Sequence, residues 1–232
     1  MKTYSNLYIF IYSAVLVIII ATLLSFTAFK LKPRQEKNIE IKKERDILSS
    51  FGVVSTAKNA EELFEKHVIK MLVINSKGDI LEGDAFTINH KKELEKPADE
   101  RQLPLFECQL DGQKIFIVPV WGIGMWGPIW GYIALEDDFN TIYGVSFASE
   151  AETPGLGAEI DTKSFQAPFK GKKIFDESRK FVSVSIIKGG APPGDIHGVD
   201  AISGGTITSL ALQKTIFDCL DSYVTYFKNH DK

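Results

Sequence analysis

The chain is poor in metal ligands. Its 232 residues include two cysteines, Cys108 and Cys219, and four histidines, His67, His90, His197 and His230. Neither cysteine belongs to a C-x-x-C pair, and the histidines are scattered. A structural zinc or an iron–sulfur cluster needs about four ligands brought together. This inventory therefore argues against a resident metal. One disulfide is compatible with the count, but two buried free thiols are the simpler expectation. Basic residues interleaved with aromatics along one stripe are also missing, and the formal net charge is −3. No nucleic acid is expected as a partner.

Charge is absent altogether from Leu7 to Phe29, "LYIFIYSAVLVIIIATLLSFTAF". As a helix this stretch runs about 34 Å, enough to cross a hydrocarbon layer of roughly 30 Å. A signal-peptide core is shorter, about 7–15 residues, and is closed by small residues; no such site ends this stretch cleanly. Tyr4, Tyr8 and Tyr12 suit the interfacial belt of a membrane. We expect a retained anchor over residues 1–32, in contact with membrane lipid. Residues 33–50, "PRQEKNIEIKKERDILSS", are charged with sparse apolar positions. They read as a solvated juxtamembrane helix that ends near Gly52 and carries a domain of residues 51–232. Only Lys2 and the α-amine precede the apolar run, whereas Lys30, Lys32, Arg34, Lys37, Lys42, Lys43 and Arg45 follow it. The positive-inside rule, taken alone, keeps the domain in the cytoplasm.

What is plentiful is aromatic and alternating sequence, with sixteen phenylalanines and three tryptophans to build a core. "AEELFEKHV" has helical spacing and puts Leu63, Phe64, His67 and Val68 on one face; His67 is expected at a core edge rather than on a metal. Strand-like stretches follow: "KMLVINSKGDI" with a turn at Lys77–Gly78, "LPLFECQLDGQKIFIVPV" with a hairpin signal at Asp111–Gly112, "WGYIALEDD", "TIYGVSFASE" and "FVSVSIIKGG". Residues 89–101 read as a polar loop or short helix. Ile207 to Phe227 carries apolar residues at helical spacing as one run. Helices and strands do not alternate as βαβ units. The expected fold class is α+β: an N-terminal transmembrane helix, then a mixed, mostly antiparallel sheet with packed helices.

Two glycine-rich stretches could carry chemistry. "VDAISGGTITS", Val199 to Ser209, sets Gly204 and Gly205 among Asp200, Ser203, Thr206, Thr208 and Ser209, just before the last helix. Unpaired N–H groups and the helix dipole at such a point favour a phosphate. A plain Ser/Thr cap after a glycine turn accounts for the same residues. The stretch is not a P-loop, because the G-K-[ST] lysine is absent. The second stretch, "ETPGLGAEI", contains Glu152, Thr153, Gly155 and Leu156. Pro154 stiffens it, while its glycines allow backbone to approach a ligand closely; a surface turn is the blander alternative. Lys188 ends "FVSVSIIK" just before Gly189–Gly190. It is either a solvated strand-end lysine or a cation near a ligand.

"DAISGGT", Asp200 to Thr206, resembles the D-x-x-[ST]-G-A-T signature of FMN-binding domains, with Gly205 in place of the usual alanine. Together with "ETPGLGAEI", "WGIGMWGPIWGYIALEDD" and "IIKGGAPPGDIHGVD", in that family's order, it resembles the C-subunit family of Na+-translocating NADH:quinone reductases. The G-subunit of Rnf-type electron transport complexes shares the attachment signature and topology. The resemblance implies FMN attached covalently through its phosphate to Thr206, with Thr208 as the competing acceptor. It implies cofactor contacts from Ser203, Gly204, Gly205, Glu152, Thr153, Gly155, Leu156 and Lys188. It also implies a flavin transferase for maturation, partner subunits in a six-subunit membrane complex, and a single-pass protein of the bacterial inner membrane. Its domain would lie on the periplasmic side, against the charge rule.

Overall fold

The computed structural model describes residues 5–230, so Lys2 and Tyr4 of the membrane reading lie outside it. The chain forms two compact units that divide between Lys43 and Glu44. The first consists of most of helix α1 (Asn6–Ser50), which is long and apolar enough to cross a membrane. Within the apolar run Thr22 and Thr27 donate their hydroxyls to the carbonyls of Ile18 and Leu23 at 2.7 and 2.8 Å. Their polar atoms are thus satisfied inside the helix. The expected anchor and juxtamembrane helix are one continuous element. Pro33 lies inside it, and the Glu- and Lys-rich sequence beyond is strongly helix-forming.

The last turn of α1 belongs to the second unit, where Ile47, Leu48 and Ser50 are buried. The second compact unit runs from Glu44 onward. The helix stops where the chain turns left-handed at Gly52, φ +86°. The Val53 N–H donates to Leu48 O, and the Gly52 N–H to Ser49 O. This pairing satisfies the terminal carbonyls.

The centre of the domain is a six-stranded antiparallel sheet of β1 (Val68–Ile74), β2 (Ile80–Leu81), β3 (Leu103–Leu110), β4 (Gln113–Ile123), β5 (Pro128–Leu135) and β6 (Ile142–Ser149), in the order β2-β1-β3-β4-β5-β6. Asp111 and Gly112, at φ 50° and 83°, make the tight turn that joins β3 to β4. Both sheet faces are covered. Phe116, Val118 and Val120 of β4 face one core with α5 (Thr206–Asp221) and α6 (Val224–His230). Ile115 and Ile117 face the other, with Ile47, Leu48 and Phe51 from the end of α1 and Phe64 of α2 (Ala60–His67). His67 lies at that edge, 2.9 Å from Gln109 O and edge-on to Phe51. Residues 90–94 form a short helix, α3 (His90–Leu94), in the polar segment, and a further short helix, α4 (Lys163–Gln166), follows the last strand of the sheet.

Two stretches depart from the sequence pattern. "FVSVSIIKGG" is not one strand: Phe181 makes an isolated bridge to Phe175, Ser183 sits at φ +60°, and only β7 (Ser185–Ile187) is regular. The backbone reversal at Ser183 interrupts the extended run. β7 pairs in parallel with β8 (Gly198–Asp200) as a second small sheet. The C-terminal run is also two helices. The N–H groups of Ser222 and Tyr223 turn back to the carbonyls three residues earlier. The fully buried Tyr223 is pinned there by donating its hydroxyl to Pro104 O at 2.9 Å.

The two cysteines are buried free thiols. Burial pushes both thiols up to about 12, with the neighbouring Glu107 carboxylate adding to the effect at Cys108.

Candidate functional site

Three segments distant in sequence meet beside the start of α5. β4 and β5 end in a hairpin tip at residues 124–127, whose Gly124 N–H donates to Gly127 O at 2.8 Å. The tip reads G-x-G-x-x-G from Gly122, but it joins antiparallel strands rather than a strand to a helix, so it is no dinucleotide fingerprint. The second segment is the loop after β6, from Glu152 to Gly157. The third is the turn after β8, Ile202 to Gly205, and the first turn of α5. Between them lies a cleft of about 430 Å³, lined by Met125 and Trp126, by Glu152, Thr153, Leu156 and Gly157, and by Gly204 to Thr208.

The turn before α5 is tight. Gly204 has φ +76°, and a Cβ there would stand 2.7 Å from a Leu156 methyl. At Gly205 a Cβ would crowd Ile202 at 2.8 Å and the Leu156 carbonyl carbon at 3.3 Å. The family signature's alanine at this position would press on Ile202, which explains why glycine suits this chain. No side chain caps α5. Its first intrahelical bond is the Ser209 N–H to Gly205 O at 2.9 Å, which leaves the N–H groups of Thr206, Ile207 and Thr208 without helical acceptors. Ser209 is consumed structurally: its hydroxyl oxygen accepts from the Ile202 N–H at 3.1 Å.

The two candidate acceptors differ sharply. Thr206 is partly exposed, and its hydroxyl makes no hydrogen bond among the described residues. Thr208 is 2% exposed and donates its hydroxyl to Glu152 Oε2 at 2.6 Å. Glu152 is itself buried, and its Oε1 accepts from the Trp126 N–H at 3.0 Å. Among the described residues lining the cleft Glu152 is the one ionisable group. The positive end of α5 therefore faces the cleft without a basic side chain beside it.

The structure brings Glu152, Thr153, Leu156, Gly204, Gly205, Thr206 and Thr208 together. Ser203 is exposed in the turn and does not line the cleft. Gly155 holds φ +76° at an exposed position, its N–H donating to Glu159 Oε1 at 3.1 Å, and it also stays outside. Lys188 is exposed in the turn after β7 and is not part of the lining. Three lining residues escape sequence reasoning: Met125, Trp126 and Ile207. Gly157 is signalled by its place in "GLG"; the hairpin tip carries only a general glycine and aromatic signal. Asp200 of the signature has a structural task, accepting from the Ala191 N–H at 2.7 Å and so tying down the preceding glycine loop.

The FMN-binding domain family matches residues 124–221, from the hairpin tip to the end of α5, and so contains all three segments. Fold and cleft thus define a chain with an apolar N-terminal helix and an FMN-binding domain. The C-subunit of the Na(+)-translocating NADH-quinone reductase of Vibrio vulnificus is 34% identical over 218 residues, covering 85% of this chain and 84% of that protein. A crystal structure of the same subunit from Parabacteroides distasonis matches with a TM-score of 0.79 at 41% identity, over 85% of this chain and 96% of that one. The Shewanella oneidensis NqrC structure matches with a TM-score of 0.70 at 30% identity, over 82% and 97%. The chain belongs to the C-subunit family of Na+-translocating NADH-quinone reductases.

Proposed function

We propose that the chain is the electron-carrying C-subunit of a Na+-pumping NADH:quinone reductase and holds FMN covalently through a phosphoester to Thr206. The observation that carries the attachment is the contrast at the start of α5: Thr206 offers an unbonded, partly exposed hydroxyl beside unpaired N–H groups, whereas the Thr208 hydroxyl is buried against Glu152. A phosphate fits there because helix N–H groups and the helix dipole stabilise its charge. Gly204 and Gly205 let the turn pack against Leu156 and Ile202 and so hold the start of α5 at the cleft wall. Bound FMN supplies one- and two-electron redox chemistry. The chain's residues position it: Thr206 would tether the phosphate, while Leu156, Met125 and Trp126 offer exposed apolar surface that a bound flavin would cover.

Maturation by a flavin transferase, and electron transfer with other subunits of a six-subunit complex in the bacterial inner membrane, complete the reading. The uncharged span of α1 supports one crossing in contact with lipid. We place the domain on the periplasmic side. A reporter active only outside the cytoplasm, fused at the C-terminus, should then be active; activity confined to a cytoplasmic reporter would reverse the orientation. Attachment is tested by coexpression with the transferase: Thr206→Ala should remove the flavin fluorescence of the denatured protein, and fluorescence that persists would refute the assignment.

A further inference from the structure

We propose that Glu152 is the positioning residue that decides which hydroxyl at the start of α5 receives the flavin phosphate; this rests on the reading of Thr206 as the attachment site. Glu152 spans the cleft wall. Its two carboxylate oxygens hold the Trp126 N–H at 3.0 Å and the Thr208 hydroxyl at 2.6 Å, linking the hairpin tip to the helix across 26 and 56 residues of sequence. Bare backbone makes room for it on both sides. A Cβ at Gly124 would stand 2.4 Å from Oε1. A Cβ at Gly157 would stand 2.2 Å from Oε2 and 2.5 Å from the Thr208 hydroxyl oxygen.

A carboxylate bonded to a hydroxyl is also how a base activates a nucleophile. Here burial argues the other way. The Thr208 oxygen is enclosed, with the residue 2% exposed, so a phosphorus atom has no open line to it. Two residues earlier, about 200° around the helix, Thr206 has the opening and lacks the bond. Esterification breaks the Thr206 O–H bond, forms an O–P bond and expels the group on the far side of phosphorus with its electron pair. A phosphoanhydride of FMN, presented by the transferase, supplies that leaving phosphate, and solvent takes the proton. Glu152 keeps Thr208 out of this reaction by holding its side-chain rotamer in the buried position.

The test uses the full chain coexpressed with the transferase, with flavin located by peptide mass spectrometry. Thr206→Ala should carry no flavin. Adding Glu152→Ala should release Thr208 and raise the flavin signal on its peptide at least tenfold above the background measured in Thr206→Ala. Adding Gly157→Ala, which displaces the same contact and leaves Glu152 in place, should do likewise. Adding Glu152→Gln should not, because the amide spans the same two partners, accepting from Trp126 and donating to Thr208. Flavin on Thr208 in Thr206→Ala alone would overturn the proposal, and so would two Thr208-accessible double variants that both stay at the Thr206→Ala level. Native protein without flavin on Thr206 would instead refute the attachment reading beneath it.

Discussion

The sheet and the cleft of this domain are held together by different means. The sheet is redundant: large side chains such as Phe106, Leu105, Ile115 and Tyr223 are fully buried in two cores on its opposite faces, and no single one defines the architecture. The cleft depends on few atoms. One carboxylate, Glu152, bridges two of its walls, and glycines at 124, 157, 204 and 205 let backbone and side chain come closer than any Cβ would permit. Damage to the sheet should therefore be graded and global, while damage to the cleft should be local and, for the tether, complete.

The largest effect expected is all-or-none. Thr206→Ala should lose all covalent flavin while its melting temperature stays within a few degrees of the parent, because a partly exposed side chain is removed. A large drop in melting temperature would mean that site and sheet are not separable. Next comes the sheet. Phe106→Ala removes a fully buried ring and should cost about 3–5 kcal/mol in denaturant unfolding, with Thr206 still flavinylated in whatever fraction folds.

The cores also impose a pH limit. Cys108 and Cys219 are neutral thiols whose folded values are raised to about 12, against an ordinary value of 9.0. A raised acid favours the fold fully below the unfolded value. That stability is lost as pH climbs toward the folded one, because the unfolded chain ionises first. Stability should fall from pH 9 toward 12, by roughly 2–3 kcal/mol per thiol at pH 11, and Cys219→Ala should flatten the decline. An unchanged slope would assign the alkaline transition to other groups.

The smallest effects sharpen the contrast within one loop. Gly157→Ala forces a methyl against Glu152 and Thr208 and should cost about 1–3 kcal/mol. It should also perturb the flavin absorption band. Gly155→Ala meets nothing within 4 Å, although φ is +76°. It should cost only about 1 kcal/mol of backbone strain and leave the band alone. Equal spectral changes in the two variants would show that the loop responds as a whole rather than through the Glu152 contact.

The same contrast explains what is legible in the sequence. Burial on both faces leaves β3 to β5 without period-two alternation. The central strands show instead as short apolar runs bounded by turn signals such as Asp111–Gly112, both local, so the strands and their mostly antiparallel pairing are within reach. β7 and the break at Ser222–Tyr223 are not. The first is interrupted by a left-handed serine that propensity gives no reason to expect. The second depends on Tyr223 reaching Pro104, which is 119 residues away in the chain. In the cleft, the Glu152 to Leu156 loop and the turn before α5 stand out through their glycines and a family resemblance. The hairpin tip does not, because Trp126 enters by its backbone N–H, which any residue but proline possesses. Lys188 stands close in sequence to the turn, yet its side chain is exposed and the cleft is lined without it.

The most direct measurement is fragmentation mass spectrometry of the flavinylated peptide that spans Ser203 to Leu210, from native protein matured with its transferase. The whole flavin phosphate mass should lie on Thr206, with the fragment containing Thr208 unmodified. Flavin on Thr208 or Ser203, or a peptide of unmodified mass, would contradict the attachment at Thr206.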